Sequence, residues 1–524
     1  MTIDKKAYLV GAGIGSLSAA AFMIRDGDMA GKNITIYESL PVLGGSLDAA
    51  GNAESGYTMR GGRMLTTDNY ECTWDLFKTI PTLSDPDTTV YEEIIKFNKR
   101  VKADSKARLV DKSRHIIDVS TMGFTMQDRL ELVKLTEASE EKLGTSVITD
   151  WLSPEFFTTN FWFMWQTTFA FQPWHSAVEF KRYLHRFMKE FTRIETLAGV
   201  KRTVYNQFDA MALPLIKWLE GQGVQFQQEC TVTDLILAPN TTQHTVTGIT
   251  LNRAGVEETV AVDADDLVFF QNGSMTDATS LGTMTSPPKH LTKVESGGWK
   301  LWEKLAKGRP EFGNPAVFNS SIPESYWHSF TATLKDTSFF DQMEAFTGNK
   351  AGTGGLVTFK DSNWLMSVVL YHQPHFINQP SDVQILWGYA LHPNRIGDFV
   401  AKPISECSGE EILQELCGHL NFDMDETFSA ANCIPCRLPY ITSMFMPRKL
   451  SDRPLPVPTN STNLALVSQF VEVTDDVVFT VEYSVRAAQM AVYQLLGIDR
   501  EIPEISRHDK SLKVNIDAVI KAFK

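Results

Sequence analysis

Residues 7–27 read AYLVGAGIGSLSAAAFMIRDG. Ala7–Val10 is a short apolar run of strand type, and Gly11, Gly13 and Gly15 follow as a tight turn. Ser16–Arg25 has helical patterning, with Ala19, Ala20 and Ala21 small enough to pack closely on a sheet. Asp26 and Gly27 stop the helix. The next run, Asn33–Ser39 (NITIYES), is a second strand that carries Glu38 at its end. Strand, glycine turn, helix and strand make a βαβ unit. Backbone N–H groups at a helix N-terminus stabilise anions, and glycine lets a phosphate come close. Ser16 stands where the third glycine is usual, with Gly15 one place early. Glu38 lies at the distance from which an acid holds the hydroxyls of an adenosine ribose. The pattern predicts a dinucleotide site.

FAD fits the surroundings better than NAD. The doublet Gly44–Gly45 follows Glu38 closely, as in several FAD enzymes. The late segment Asn463–Leu496 has the form of a flavoprotein's closing strand and helix, which places Phe479 and Thr480 beside an isoalloxazine ring. The chain holds no second GxGxxG for a separate nicotinamide.

The chain has 524 residues, which suggests two to four domains. With 43% hydrophobic and 21% charged residues it has the balance of a globular protein, and a net charge of −14 sets nucleic acid aside as a partner. Six cysteines make no disulfide framework, and no signal peptide precedes the first strand, so a reducing, cytoplasmic setting is expected. Cys433-Ile-Pro-Cys436 suits a turn better than a redox or zinc site, having no partner CxxC. His372 and His375 are interrupted by Pro374, which argues against a metal site, and no metal is expected. The motifs GxSxG, HExxH and GxxxxGK[ST] are absent.

Phe156–Val178 contains no Asp, Glu, Lys or Arg and nine aromatic residues of Phe and Trp type. It is long enough to span a bilayer, yet its threonines, Asn160, Gln166, Gln172 and Pro173 suit lipid poorly. A buried helical region with a turn near Pro173 is expected, serving either as core or as the wall of an apolar ligand channel. Asp85–Lys112 reads as a linker or surface region, and Asp128–Leu143 as a charged helix. Residues from His244 to Met275 read as a β-hairpin, a strand and a glycine turn. Lys300–Asp425 mixes helical and strand patterns.

Residues 59–77, MRGGRMLTTDNYECTWDLF, begin as a cofactor loop, with Arg60 and Arg63 flanking Gly61 and Gly62. Met64 and Leu65 then follow, and neither can carry a proton. Together with YESLPVLGGSLDAAG, VYNQFDAMALPLIKWLE, QNGSMTD, LPYITSMFMPR and QFVEVTDDVVFTVEYSVRAAQMAVY, this block resembles the oleate hydratases. These are FAD-containing fatty acid hydratases, formerly called myosin-cross-reactive antigens. The matching blocks run from Leu9 to about Tyr493.

The resemblance implies an α/β multidomain flavoprotein with a discontinuous Rossmann-like FAD domain (1–100, 195–300 and 430–498). A helical, aromatic-rich cap (101–194), a mixed α/β substrate domain (301–429) and a C-terminal tail (499–524) complete it. It implies hydration of a cis double bond in a free unsaturated fatty acid, oleate giving 10-hydroxystearate, with FAD present and no net redox change. Tyr205 occupies the place of the family's proton donor. A tyrosine of ordinary pKa, about 10, keeps its proton at neutral pH. Asn206 and Gln207 would orient it, Gln207 on the substrate side. Met64 takes the place of a glutamate that activates water, leaving backbone carbonyls, Asp68, Glu71 or the flavin edge to position it. Tyr440, Thr442 and Ser443 fall in the block that resembles the head-group region, and an ordinary hydroxyl-rich strand explains them equally well. Arg60 and Arg63 suit FAD phosphates or the flavin.

Two other readings stay open: a redox flavoenzyme acting on lipids, and a noncatalytic lipid-binding flavoprotein. Longer family members carry extensions that this chain lacks, so a monomer is expected. In the tail, Leu512, Ile516, Val519, Ile520 and Phe523 share one helical face, with Lys510, Lys513, Lys521 and Lys524 around it. That pattern suits weak peripheral membrane contact or docking on the protein's own body.

Overall fold

The structure, a computed structural model, describes residues 5–62, 64–239 and 242–523; Arg63 and Lys524 lie outside them. Ala7–Val10 pairs in parallel with Leu267–Phe270 on one side and Ile34–Tyr37 on the other. Leu464–Leu466 extends the sheet at one edge and Gln225–Gln227 at the other, also in parallel. Both middle strands, Ala7–Val10 and Leu267–Phe270, are buried at every residue. A parallel sheet covered on both faces needs such unbroken apolar runs. The glycine-turn helix, Ile14–Arg25, packs on the helix Val481–Leu496. Its Ala19, Ala20 and Ala21 are fully buried, which is what the close approach demands.

A second sheet has seven strands. Its strand Trp327–Leu334 is buried throughout and pairs antiparallel with Gln384–Ala390 and Asn432–Leu438. The stretch Lys300–Asp425 supplies four of the seven strands. Three more come from outside it, because chain proximity is set by pairing and not by sequence: Leu109–Val110 pairs with Leu356–Phe359, Ser280–Leu281 forms the other edge, and between that edge and Trp327–Leu334 lies Asn432–Leu438. That last strand falls in the stretch from 430 that the sequence assigns to the FAD portion. Cys433 and Cys436 therefore sit on a strand and not in a turn, both buried, with thiols pushed upward by burial. The predicted hairpin is present as Val246–Arg253 with Val256–Ala261, joined by Cys230–Leu237 in a small antiparallel sheet.

The aromatic segment folds as Pro154–Thr158, a helix Asn160–Phe169, a left-handed Ala170 (φ 63°), and a helix Ala177–Arg186. Thr159 and Ser176 cap the two helices through the N–H groups of Trp162 and Glu179. Phe156, Phe161, Trp162, Trp165 and Phe171 are buried core. Asp85–Lys112 is more ordered than a linker. A helix, Val90–Arg100, starts on a capping box between Thr89 and Glu92 and buries Val90, Ile94 and Phe97. Among the described residues no helix is long and apolar enough to cross a membrane.

The tail forms the helix Leu512–Phe523. It is held through its opposite face: Lys521 is buried and ion-paired with Glu195 at 2.5 Å, and Arg129 donates to the Ala522 carbonyl at 2.7 Å. Leu512, Ile516, Val519, Ile520 and Phe523 are all exposed, so the apolar face does not dock on the body. Beside them, on the helix Met126–Glu137, Met126, Leu130 and Val133 are exposed as well.

Candidate functional site

The glycine turn, the end of the second strand and the end of the fourth meet in a cavity of about 1440 Å³ of empty space. Gly11, Gly13, Glu38, Gly45, Arg60 and Gln271 are among its lining residues. The helix Ile14–Arg25 has Gly13 at its N-cap, no side-chain cap and no acid in its first turn, so its amide groups remain available to an anion. The chain crosses itself tightly here: Gly13 bridges Gly44, and a Cβ on Gly45 would lie 2.8 Å from the Gly13 Cα. Ser16 is fully buried in the first helical turn, and its Oγ has no hydrogen-bond partner among the described residues. Glu38 is aimed by two amides, Ala12 N–H at 2.8 Å and Leu40 N–H at 2.9 Å. This donor set fits a dinucleotide, with the pyrophosphate on the turn and a ribose at Glu38. Arg60 is tied down, its Nε 2.8 Å from Asp48 Oδ1 and its Nη1 donating to the Thr276 carbonyl at 3.2 Å. Burial pushes the Asp48 carboxyl upward, against the pull of Arg60.

A second cavity, of about 1090 Å³, begins where the first loop ends. Gly61, Gly62 and Met64 form one wall, Phe479 and Thr480 another, and Phe169, Phe187, Leu197, Trp387 and Tyr389 much of the rest. Thr480 caps the helix Val481–Leu496, and Phe479 holds a left-handed backbone, φ 68°. Thr167, Thr168, Phe169 and Ala170 also line it, so the aromatic segment is core on one side and ligand wall on the other. Met64 is half-buried against the core, and the Tyr70 hydroxyl donates to its carbonyl at 2.9 Å.

A third, more polar cavity adjoins this one at Gly61, Gly62, Arg202 and Val369. Thr203, Asn206, Gln207, Tyr371, His372 and His375 line it. Tyr205 sits within this turn, half-buried, its carbonyl accepting from Thr203 Oγ1 at 2.6 Å. The turn is fastened from behind: the Asn206 N–H donates to the His375 carbonyl at 2.8 Å. The His375 ring stacks on Tyr371 at 4.0 Å, and burial pushes its pKa down to about 3. Gly62 carries no side chain because a Cβ there would collide with the Tyr371 hydroxyl. The Arg202 guanidinium lies 5.6 Å from the Tyr371 ring, and burial lowers its pKa.

The head-group candidates fall elsewhere. The Tyr440 hydroxyl accepts from Ser296 at 3.1 Å, and Thr442 donates to the Ser325 carbonyl at 2.9 Å. Neither lines the apolar cavity, and nor does Ser443, which is fully buried. Thr442 borders a separate cavity near Arg395 and His392, which shares only Trp327 with the apolar one. Glu71 is also placed away from the cavity lining. It joins Arg186, Arg486, Asp476 and Glu482 in a buried network, while Asp68 pairs with Lys189. Sequence reasoning did not single out Gln271, Arg202, Tyr371 or Glu190, and it weighed His375 only as a metal ligand. The motif around Tyr205 was the available signal for Arg202, since it stands three places before that residue.

A parallel five-stranded sheet, a bare glycine turn and an acid at the second strand's end, with an apolar chamber beyond, define an α/β protein of the Rossmann flavoprotein type. More narrowly, the chain belongs to the MCRA family, which it matches over residues 4–493. It is 39% identical to an oleate hydratase of Streptococcus pyogenes serotype M49 (strain NZ131), covering 96% of this chain and 87% of the relative. It is 35% identical to a linoleate hydratase of Lactiplantibacillus plantarum, covering 99% of each. Solved structures share the fold at low identity. Cyclohexylamine oxidase from Brevibacterium oxydans IH-35A has a TM-score of 0.51 at 11% identity, over 94% of this chain and 99% of that one. A triple mutant of putrescine oxidase has 0.52 at 12%, again over 94% and 99%.

Proposed function

We propose that this chain is a hydro-lyase that adds water across a cis double bond of a free unsaturated fatty acid, converting oleate to 10-hydroxystearate. The observation that carries the reading is the apolar chamber walled by Met64 and Phe479, which shares Gly61, Gly62, Arg202 and Val369 with the lining of the polar cavity beside the Tyr205 turn. An alkyl chain suits the first space and a proton donor the edge of the second. The relatives' hydratase names support it.

FAD is the proposed cofactor. Gly11, Gly13, Gly15 and Ser16 would hold its pyrophosphate and Glu38 its ribose. Gly44, Gly45, Arg60, Gly61, Gly62, Phe479 and Thr480 would surround the flavin end; Arg63, assigned to the same group, lies outside the described residues. When bound, FAD supplies a planar, polar wall to the chamber without net redox. Tyr205 gives its hydroxyl proton to one alkene carbon, the π pair forms the new C–H bond, and water adds to the other carbon. Gln207 orients the substrate side of this turn. Head-group binding by Tyr440, Thr442 and Ser443 requires the acid to reach past Trp327. The domain division given above, a monomeric state, a cytoplasmic setting and weak membrane contact through the exposed apolar face of the tail belong to the same proposal.

Incubation of the flavin-loaded protein with oleate, followed by mass spectrometry, tests the reading. A gain of one water supports it, and no product leaves the lipid-binding alternative that Met64 favours. Stoichiometric bleaching of oxidised flavin by anaerobic substrate would instead mark a redox enzyme.

A further inference from the structure

With methionine at the place of the water-activating carboxylate, a hydration site needs another acceptor for the water proton. The described lining of the apolar chamber contains one carboxylate, Glu190. Its threonine hydroxyls are neutral and weak proton acceptors beside a carboxylate; their own protons are engaged, Thr167 donating to the Phe163 carbonyl, Thr168 to that of Met164, and Thr480 to that of Val477, at 2.7, 2.6 and 2.9 Å. Thr66 donates to Asn69 at 3.1 Å. The lining has no histidine. In the adjoining polar cavity, burial lowers the pKa of both His372 and His375, and Asp48 does not line the apolar chamber.

Glu190 also sits close to the Met64 loop by construction. It lies on the short helix Met188–Phe191, whose Lys189 pairs with Asp68 of that loop. The Asn69 side chain donates to the Arg186 carbonyl at 2.9 Å, fixing the same two segments together. Leu65 and Lys201 exchange backbone hydrogen bonds of 3.1 and 2.7 Å, which brings residues 199–201 alongside Met64. The Glu190 carboxylate rests on Gly199 in that segment, where any Cβ would collide with its Oε2. Arg193 grips it on both oxygens, at 2.5 and 3.0 Å, while leaving lone pairs for a further donor.

We propose, on the basis of the hydratase reading, that Glu190 takes over the task of the missing loop carboxylate and positions the attacking water. Water donates a hydrogen bond to a Glu190 oxygen and offers its lone pair to the cationic carbon left after protonation of the alkene. As the C–O bond forms, the O–H pair stays on oxygen and the proton passes to Glu190. Glu190 then releases that proton to solvent, and the Tyr205 phenolate regains one from solvent. No oxidant or reductant is consumed. A carbocation asks for a positioned acceptor, since water then needs orientation more than deprotonation.

The test is a cycle between Glu190→Gln and Met64→Glu, with oleate turnover measured at equal flavin occupancy. Glu190→Gln is expected to lower kcat by about 10²-fold with little change in KM. Met64→Glu added to it is expected to restore at least about tenfold, because a carboxylate returns to the loop. Glu190→Asp, which keeps the charge but draws it back by one methylene, is the second arm and is expected to fall between the two. Parent-like turnover in Glu190→Gln or Glu190→Asp overturns the assignment, as does a loss in Glu190→Gln that Met64→Glu does not relieve. If the parent chain itself makes no hydroxy acid, the hydratase reading fails, and it fails independently of Glu190.

Discussion

Glu71 anchors the Met64 loop from behind, and its removal has a calculable effect. Its carboxylate accepts from Arg186 at 3.0 and 2.6 Å, from Arg486 at 3.0 Å and from the Ser506 N–H at 2.9 Å. Burial alone would raise its pKa, but Arg186 and the Ser506 amide overcome that and hold it at about 2, against an ordinary 4.5. A depression of that size corresponds to about 3 kcal/mol of stabilisation, in line with the roughly 3–5 kcal/mol lost when one partner of a buried pair is removed. Because the folded pKa is the lower one, this contribution is complete above the unfolded value and is lost as pH falls from 4.5 toward 2. Glu71→Gln should therefore unfold in less urea than the parent near neutral pH, by about 3 kcal/mol. The gap should narrow steadily on acidification through that window. Urea midpoints of the two flavin-loaded proteins, taken at a series of pH values, measure it. A gap under about 1 kcal/mol at neutral pH, the scale of a surface pair, or one that widens in acid, would refute the reasoning.

Tyr205→Phe keeps the ring and removes the hydroxyl; hydration is expected to drop about 10²–10⁴-fold with normal FAD content, and near-parent turnover would remove Tyr205 from the mechanism. Gly13→Val places a branched side chain where a Cβ already meets Gln271 at 2.6 Å and where phosphate must approach. The purified variant should lack flavin absorbance, and full absorbance would put the cofactor in another loop. Truncation after Arg507 removes the helix whose Leu512, Ile516 and Phe523 face outward. The intact chain should sediment with anionic liposomes at low salt and the truncated one should not, both retaining FAD; equal binding would assign the tail to packing.

The glycine-turn cavity was legible because its information is local. Gly11, Gly13 and Glu38 lie within one βαβ unit, so their spacing carries their geometry. The seven-stranded sheet was not, because its central strands are buried on both faces. Trp327–Leu334 has no exposed residue, hence no alternation to mark it as a strand. The helix Val90–Arg100 hid behind its charges, although Thr89 and Glu92 spelled out its capping box. Glu190 looked like one charge among many on a helical stretch. Contacts between segments far apart in sequence, Leu65 with Lys201, Asp68 with Lys189 and Asn69 with Arg186, bring it to the Met64 loop. Tyr440 and Thr442 show the reverse case, hydroxyls that read as ligand-binding and are engaged with Ser296 and Ser325.

The cofactor sheet draws its strands from Ala7–Val10, Ile34–Tyr37, Gln225–Gln227, Leu267–Phe270 and Leu464–Leu466. Its glycine turn leaves the ribosome well before the edge strand and the Phe479–Thr480 wall. At roughly 5–20 residues per second, on the order of 20–90 s separate the two. Throughout that interval the nascent glycine turn lacks Val467, whose carbonyl would lie 2.6 Å from a Cβ on Gly15 and so closes the turn from above. Closure of the turn thus waits on a segment made far later than the turn itself. A chain that stops short of the last strand carries Gly11, Gly13, Gly15 and Glu38 in full and still lacks the segment that closes the turn over them.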